Sequence, residues 1–432
     1  MAHTSKLKEK MGPWALFVKL IVAIVIGILI GSIGTVFGVS EAAWFSVVIR
    51  SLVTFGDLFG TFLNFIIPLL IVSFVSVGLA ELGRKANRLF GVTIITAYGF
   101  TVIAGLLSFV IGSALLPSLI HPITGEAGAT YTYDTFFTLE IKPLFDVMPA
   151  LVLAFTLGLG MANIKSDALY KATRDFRDII SLVIEKILIP LIPLYILCLF
   201  ANIAATGELA STLSMFLLLL VLIIVSQYGE IVVEFGIAAG ISRRNTFKAL
   251  PHVLPAYVTA LGTKSSAATI PVNLQCAYKD GIDKEVADFV IPLCATIHLA
   301  GDTTCLVLGC MGIMLAEGMA PTFALFLPFI LMLGVMMIAA PGVPGGGVMA
   351  ALGAISGMLG FTEAMQQLII SLHLTQDSFG TACNITGDHA IGFVVDSFEK
   401  RFQKADEKRR AKETAMLETA ESDVVSATDV EG

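Results

Sequence analysis

Uninterrupted apolar runs of about 20 residues or more recur along this chain, from Trp14 to Gly38, Leu89 to Leu116, Ile187 to Ala205 and Leu213 to Val233. A helix of that length covers the roughly 30 Å hydrocarbon core of a bilayer, so the pattern predicts several crossings rather than one anchor. Composition agrees, with 56% hydrophobic and 14% charged residues and a mean hydropathy of +0.87, values foreign to water-soluble domains. The first run follows Lys6, Lys8 and Lys10, lacks a small-residue cleavage site and is succeeded by further apolar runs, so it reads as a span and not a removed signal. The six cysteines are scattered through apolar stretches without metal-type spacing and read as reduced core residues.

Lys and Arg in the connections set the expected orientation. Basic residues gather at the N-terminus, at Arg84, Lys85 and Arg88, at Lys165 to Arg177, at Arg243, Arg244 and Lys248, and after Phe398. The connections between them, including the long Pro117 to Asp146 segment, are acidic or nearly uncharged. This alternation predicts an all-α polytopic membrane protein with eight transmembrane helices, both termini in the cytoplasm, and two apolar stretches that return to the side they entered from. The re-entrant stretches are residues 245–279 and 328–359, followed by one long helix each, Val286 to Ala316 and Ala364 to Phe398, in an inverted repeat. Their tips, Gly262 to Pro271 and Pro341 to Gly347, are expected at a polar cavity, since lipid satisfies no backbone N–H or C=O.

The stretches SSAATIP at 265–271, IPLCATIHLAG at 291–301, GVPGGG at 342–347 and NITGD at 384–388 resemble the signatures of the dicarboxylate/amino acid:cation symporters, the glutamate transporter homologues. The run TKSSAATIPVNL together with TQDSFGTACN is most similar to the bacterial serine/threonine symporter branch. The resemblance implies a homotrimer in the cytoplasmic membrane of a prokaryote, with one amino-acid site per protomer, no enzymatic activity and no nucleic-acid partner. It also implies a scaffold (helices one and two at 13–88, four and five at 147–208) and a mobile transport domain (helix three at 89–116, and 209–399). Residues 1–12 and 400–432 are then cytoplasmic and 117–146 extracellular, with the tail disordered from Glu413 onward.

Asp377, Thr381, Asn384 and Asp388 recur at i, i+4, i+7 and i+11, a polar stripe on one face of an apolar helix. By resemblance Asp377 holds the substrate ammonium, while Ser265, Ser266 and backbone around Val343 and Gly345 receive its carboxylate, with Thr381 and Asn384 beside it. Residues of another role compete for these positions: Asp377 pairing with Lys264, and the two serines capping a helix. Where acidic-amino-acid members carry an Arg, this chain has Gly380, and Asp302 occupies a substrate-facing position that would repel a second carboxylate. A neutral amino acid is therefore expected, with Gly380 widening the pocket; pairing of Asp302 with His298 one turn earlier is the alternative role for that carboxylate.

Sodium is the expected coupling ion, with no other cofactor. Asn384, Asp388 and the backbone of Thr296 match the family's sodium ligands, but His298-Leu299-Ala300-Gly301 replaces an Asn-Met-Asp-Gly run and removes one cation site. His298 is a candidate proton carrier or a neutral core histidine. Glu230 and Glu234 are either a proton relay or a cytoplasm-facing pair. A proton-coupled or acidic-substrate symporter of the same fold, or an anion channel, are the competing readings; an intramembrane aspartyl protease lacks its Tyr-Asp and Gly-x-Gly-Asp pairs here. The basic run Lys400 to Lys412 reads as contacting membrane lipid.

Overall fold

The computed structural model describes residues 15–84, 88–122, 131–340 and 345–428, and all regular elements among them are helical. The N-terminal segment 1–12, Lys85 and Val343, all singled out in the sequence, lie outside the described residues. The first half holds α1 (Ala15–Phe37), α2 (Ala43–Arg84), α3 (Arg88–Leu119), α4 (Val147–Asn163), α5 (Ala168–Val183), α6 (Ile189–Thr206) and α7 (Leu209–Ser242). The second holds α8 (Leu250–Thr263), α9 (Ser266–Lys279), α10 (Lys284–Ile297), α11 (Ala300–Ala316), α12 (Phe323–Ile338), α13 (Gly346–Leu359) and α14 (Glu363–Thr428). Six described stretches are long and apolar enough to cross a membrane, and α4, α12 and α13 are shorter apolar helices.

The helices pack in two groups. In one, α1 lies along α6, and α2 packs on α4, α5 and α6; in the other, α14 is surrounded by α3, α7, α8, α10 and α11. α13 bridges them by touching α2, α4 and α14. Close approach of α1 to α6 depends on Gly27 and Gly31, one turn apart. A Cβ on Gly31 would lie 2.2 Å from the Ala201 carbonyl oxygen, and one on Gly27 would lie 2.5 Å from that of Leu197. Gly31→Val should therefore destabilise the fold by about 1–3 kcal/mol through overpacking, read as a lower melting temperature in detergent; an unchanged melting point would show that α1 and α6 can part without cost.

Within the two stretches expected to re-enter, the consecutive helices α8–α9 and α12–α13 pack on each other as helical hairpins, the second beginning at Phe323 and not at 328. Two expectations fail. The long helix from Val286 to Ala316 is broken: His298 (φ −112°, ψ 102°) and Leu299 (φ −127°, ψ 50°) leave helical geometry between α10 and α11. The physical cause lies across the interface, where the Gly301 N–H donates to Asn384 Oδ1 at 2.8 Å. The tail expected to be disordered beyond Glu413 is instead helical to Thr428, because its Ala, Glu, Lys, Leu and Met residues favour helix strongly even without an apolar face.

The segment 131–146 is fastened to α2 at Asp134 and Phe136. Arg50 Nε donates to the Asp134 carbonyl at 2.9 Å and stacks over the Phe136 ring at 4.4 Å, while the Phe136 N–H donates to Thr54 Oγ1 at 2.9 Å.

Candidate functional site

The tips of both hairpins meet the broken helix and the middle of α14 around one cavity of about 70 Å³. Lys264, Ser265, Ser266 and Ala267 come from the first tip, Thr296, Leu299 and Asp302 from the break, Gly346 and Gly347 from the second tip, and Asp377, Thr381 and Asn384 from α14. Residues separated by more than 100 positions in sequence thus converge, and the polar stripe of α14 supplies one wall.

Ser265 caps α9, its hydroxyl accepting the Ala268 N–H at 3.2 Å, which realises the capping role. Lys264, left-handed at φ 53° and buried, interacts electrostatically with Asp377. Asp377 also accepts the backbone N–H of Gly345, the left-handed residue that caps α13. In this conformation Asp377 thus joins the two hairpin tips, and its carboxylate still faces the cavity.

Asp302 does not pair with His298. Its Oδ1 lies 2.6 Å from His373 Nε2, and its Oδ2 accepts from Asn384 Nδ2 at 2.6 Å. The helix break explains this, since without continuous helix the i−4 residue no longer stands over Asp302. His373 is fully buried, and ligand atoms of Asp302, His373 and Asp377 lie within 4.8 Å of one another. Sequence reasoning missed His373, yet a signal existed: it sits four residues before Asp377, one turn up the same polar stripe. Hairpin two reaches Asp302 only because Gly347 is bare, for a Cβ there would lie 2.8 Å from Asp302 Oδ1.

Replacing His373 by Leu should leave the Asp302 carboxylate facing the cavity with Asn384 as its remaining partner. Lysine or ornithine should then compete for the cavity at least about tenfold better than against the parent, as a charge-assisted hydrogen bond of about 1.5–3 kcal/mol implies. Competition binding to the purified variant checks this; an unchanged competition profile would mean that Asp302 is not a cavity-facing charge.

Gly380 does not widen the cavity. A Cβ there would meet the amide end of Gln376 at 3.2 Å, and that amide is held by Gln227, whose Nε2 donates to Gln376 Oε1 at 2.6 Å and to the Gly301 carbonyl at 2.9 Å. The space beside Gly380 is filled by this glutamine pair.

Behind the cavity lies a second buried polar cluster. His298 stands between two carboxylates, Nε2 3.1 Å from Glu234 Oε1 and Nδ1 3.1 Å from Asp388 Oδ1, all three buried. Glu230 is also buried and accepts from Thr304 Oγ1 at 2.6 Å, so Glu230 and Glu234 are not a cytoplasm-facing pair: α7 turns both inward on α11 and the break. Of the expected sodium ligands, Asn384 has both amide atoms engaged and Asp388 faces His298.

The family model described as the sodium:dicarboxylate symporter family matches residues 16–398. The serine/threonine transporter SstT of Bifidobacterium adolescentis is 30% identical over 305 residues, which cover 65% of this chain and 66% of that protein. SstT of Acinetobacter baumannii is 28% identical over 387 residues, 84% of this chain and 94% of the relative. Human excitatory amino acid transporter 2 is 25% identical over 293 residues, 66% of this chain and 50% of that protein.

Proposed function

The chain belongs to the sodium:dicarboxylate symporter family, and from that premise we propose that it carries a neutral amino acid, of the serine, threonine or alanine kind, with sodium across a prokaryotic cytoplasmic membrane. It is a multi-pass membrane transporter, not an enzyme. The observation that carries the substrate reading is the cavity's charge pattern: Asp377 and Asp302 line it, and Lys264 is the one cation lining it among the described residues, while Gly380 stands where the resemblance expects a side-chain-gripping Arg. Asp377 takes the substrate ammonium, and the N-terminal ends of α9 and α13 take the carboxylate, as helix N-termini favour anions. A second carboxylate on the substrate meets Asp302 and is repelled.

In this reading α1, α2 and α4–α6 form a trimeric scaffold and the remaining helices a moving transport domain, the hairpins α8–α9 and α12–α13 re-entering the membrane from opposite sides. Hairpin two reaches the site through backbone and glycine, which suits a gate that must part from α14 and return. A proton-coupled second reading is favoured by one observation, the His298 ring held between Glu234 and Asp388 where an oxygen cage was expected.

Uptake of labelled serine, alanine, glutamine, lysine, glutamate and succinate into proteoliposomes, under an imposed sodium or proton gradient, tests both. Sodium-driven uptake confined to neutral amino acids supports the proposal, and proton-driven uptake selects the second reading. Glutamate or succinate uptake would overturn the specificity argument and point to Lys264 as the carboxylate's partner.

A further inference from the structure

We propose that the cleft between the C-terminal end of α7 and the α14 extension binds the phosphate headgroup of an anionic phospholipid. The cleft holds about 480 Å³ and is lined by Arg243, Arg244, Lys400, Arg401 and Lys404, with the Ser242 and Ser397 hydroxyls between them. Two of these cations build its floor: Arg244 and Lys400 share the buried Asp396 carboxylate at 3.2 and 2.7 Å. Arg401 fastens the wall, its Nη2 donating to the Ile241 carbonyl at 2.6 Å. Arg243 and Lys404 are exposed and, among the described residues, pair with no carboxylate. Positive charge therefore exceeds negative charge in the cleft, and the cations that remain are those at its mouth.

Three further observations place the cleft at a membrane surface and separate a lipid from a free anion. α7 runs for 34 residues. At about 1.5 Å per residue it outreaches a bilayer core of about 30 Å, so its end arrives among headgroups. Phe398 and Phe402 lie one turn apart beside the cleft with ring centroids 6.2 Å apart and tilted by 34°, Arg401 over the first ring and Arg88 over the second, apolar rings flanked by cations that suit a headgroup boundary. Below Arg243, Val225 and Val232 lie on the same face of α7 at the helical period and are 60% and 53% exposed, an apolar lane along which an acyl chain can lie. A phosphate over Arg243 and Lys404 with a chain along this lane satisfies both halves of the surface, and it would tie α7 to α14 within the group of helices that surrounds the cavity.

Native mass spectrometry of the purified protein with dioleoylphosphatidylglycerol, with dioleoylphosphatidylcholine and with inorganic phosphate tests the assignment. The parent should retain phosphatidylglycerol at least about tenfold better than phosphatidylcholine, and R243Q/K404Q, which spares the Asp396 anchor, should lose most of that preference. A lowered melting temperature with the preference intact would overturn the proposal, as would equal retention of both lipids by the parent. Displacement of phosphatidylglycerol by inorganic phosphate at equal concentration would also overturn it, marking a site for free anions.

Discussion

Under the proposed assignment of Asp377 to the substrate ammonium, Asp377→Asn is expected to reduce uptake of a neutral amino acid by about ten- to a hundredfold, the equivalent of about 1.5–3 kcal/mol for a hydrogen bond to a charged group. The substitution keeps size and shape, and the Asn oxygen still accepts the Gly345 N–H, so hairpin two remains docked on α14. What disappears is the negative charge that faces both the cavity and Lys264. A substrate ammonium entering a desolvated cavity then finds a neutral amide and an unneutralised lysine, which oppose binding together. Uptake of labelled serine into proteoliposomes, with size-exclusion chromatography to verify assembly, measures the effect. Uptake within threefold of the parent would demote Asp377 to a cap on α13.

His298→Leu should produce the second large effect, this time on the fold. The ring lies at 3.1 Å from Glu234 Oε1 and Asp388 Oδ1 in a place without solvent access, and the other carboxylate oxygens, Asp388 Oδ2 and Glu234 Oε2, have no hydrogen-bond partner among the described residues. Removing the central member of a buried ionic cluster costs about 3–5 kcal/mol, because the charges left behind are uncompensated. The melting temperature should fall by several degrees or more, and the double variant Glu234→Gln, His298→Gln should recover part of the loss by removing one carboxylate with the ring. Close packing leaves little room for relaxation: a Cβ on Gly387 would stand 2.2 Å from Glu234 Oε2 and 2.5 Å from His298 Cε1. A single variant as stable as the parent would show that the three groups are not ionically linked.

The polar stripe of α14 was legible in the sequence because helical periodicity is local: Asp377, Thr381 and Asn384 fall on one face whatever packs against it, and all three line the cavity. The first hairpin tip was legible for a similar reason, since Gly and Pro interrupt the apolar run there and the backbone they free needs a polar surrounding. Gly380 shows where that kind of reading stops. Its missing side chain was visible, but the neighbour that would occupy the space was not, and Gln376, held by Gln227 from 149 positions away, takes it.

The amino-acid sequence by itself thus determined the solvent of this protein, its all-helical class, the positions of its helix breaks at the hairpins, and which face of α14 is polar. Each follows from composition and spacing within one segment. Only the tertiary structure decided the partners: Asp302 with His373, 71 positions away, and not with His298 four positions away; His298 with Glu234 and Asp388; and the unwinding at Leu299. Those outcomes depend on how packed helices are rotated about their own axes. A buried charge is bound to the partner that rotation brings within hydrogen-bond distance, because an unpaired one is too costly to keep.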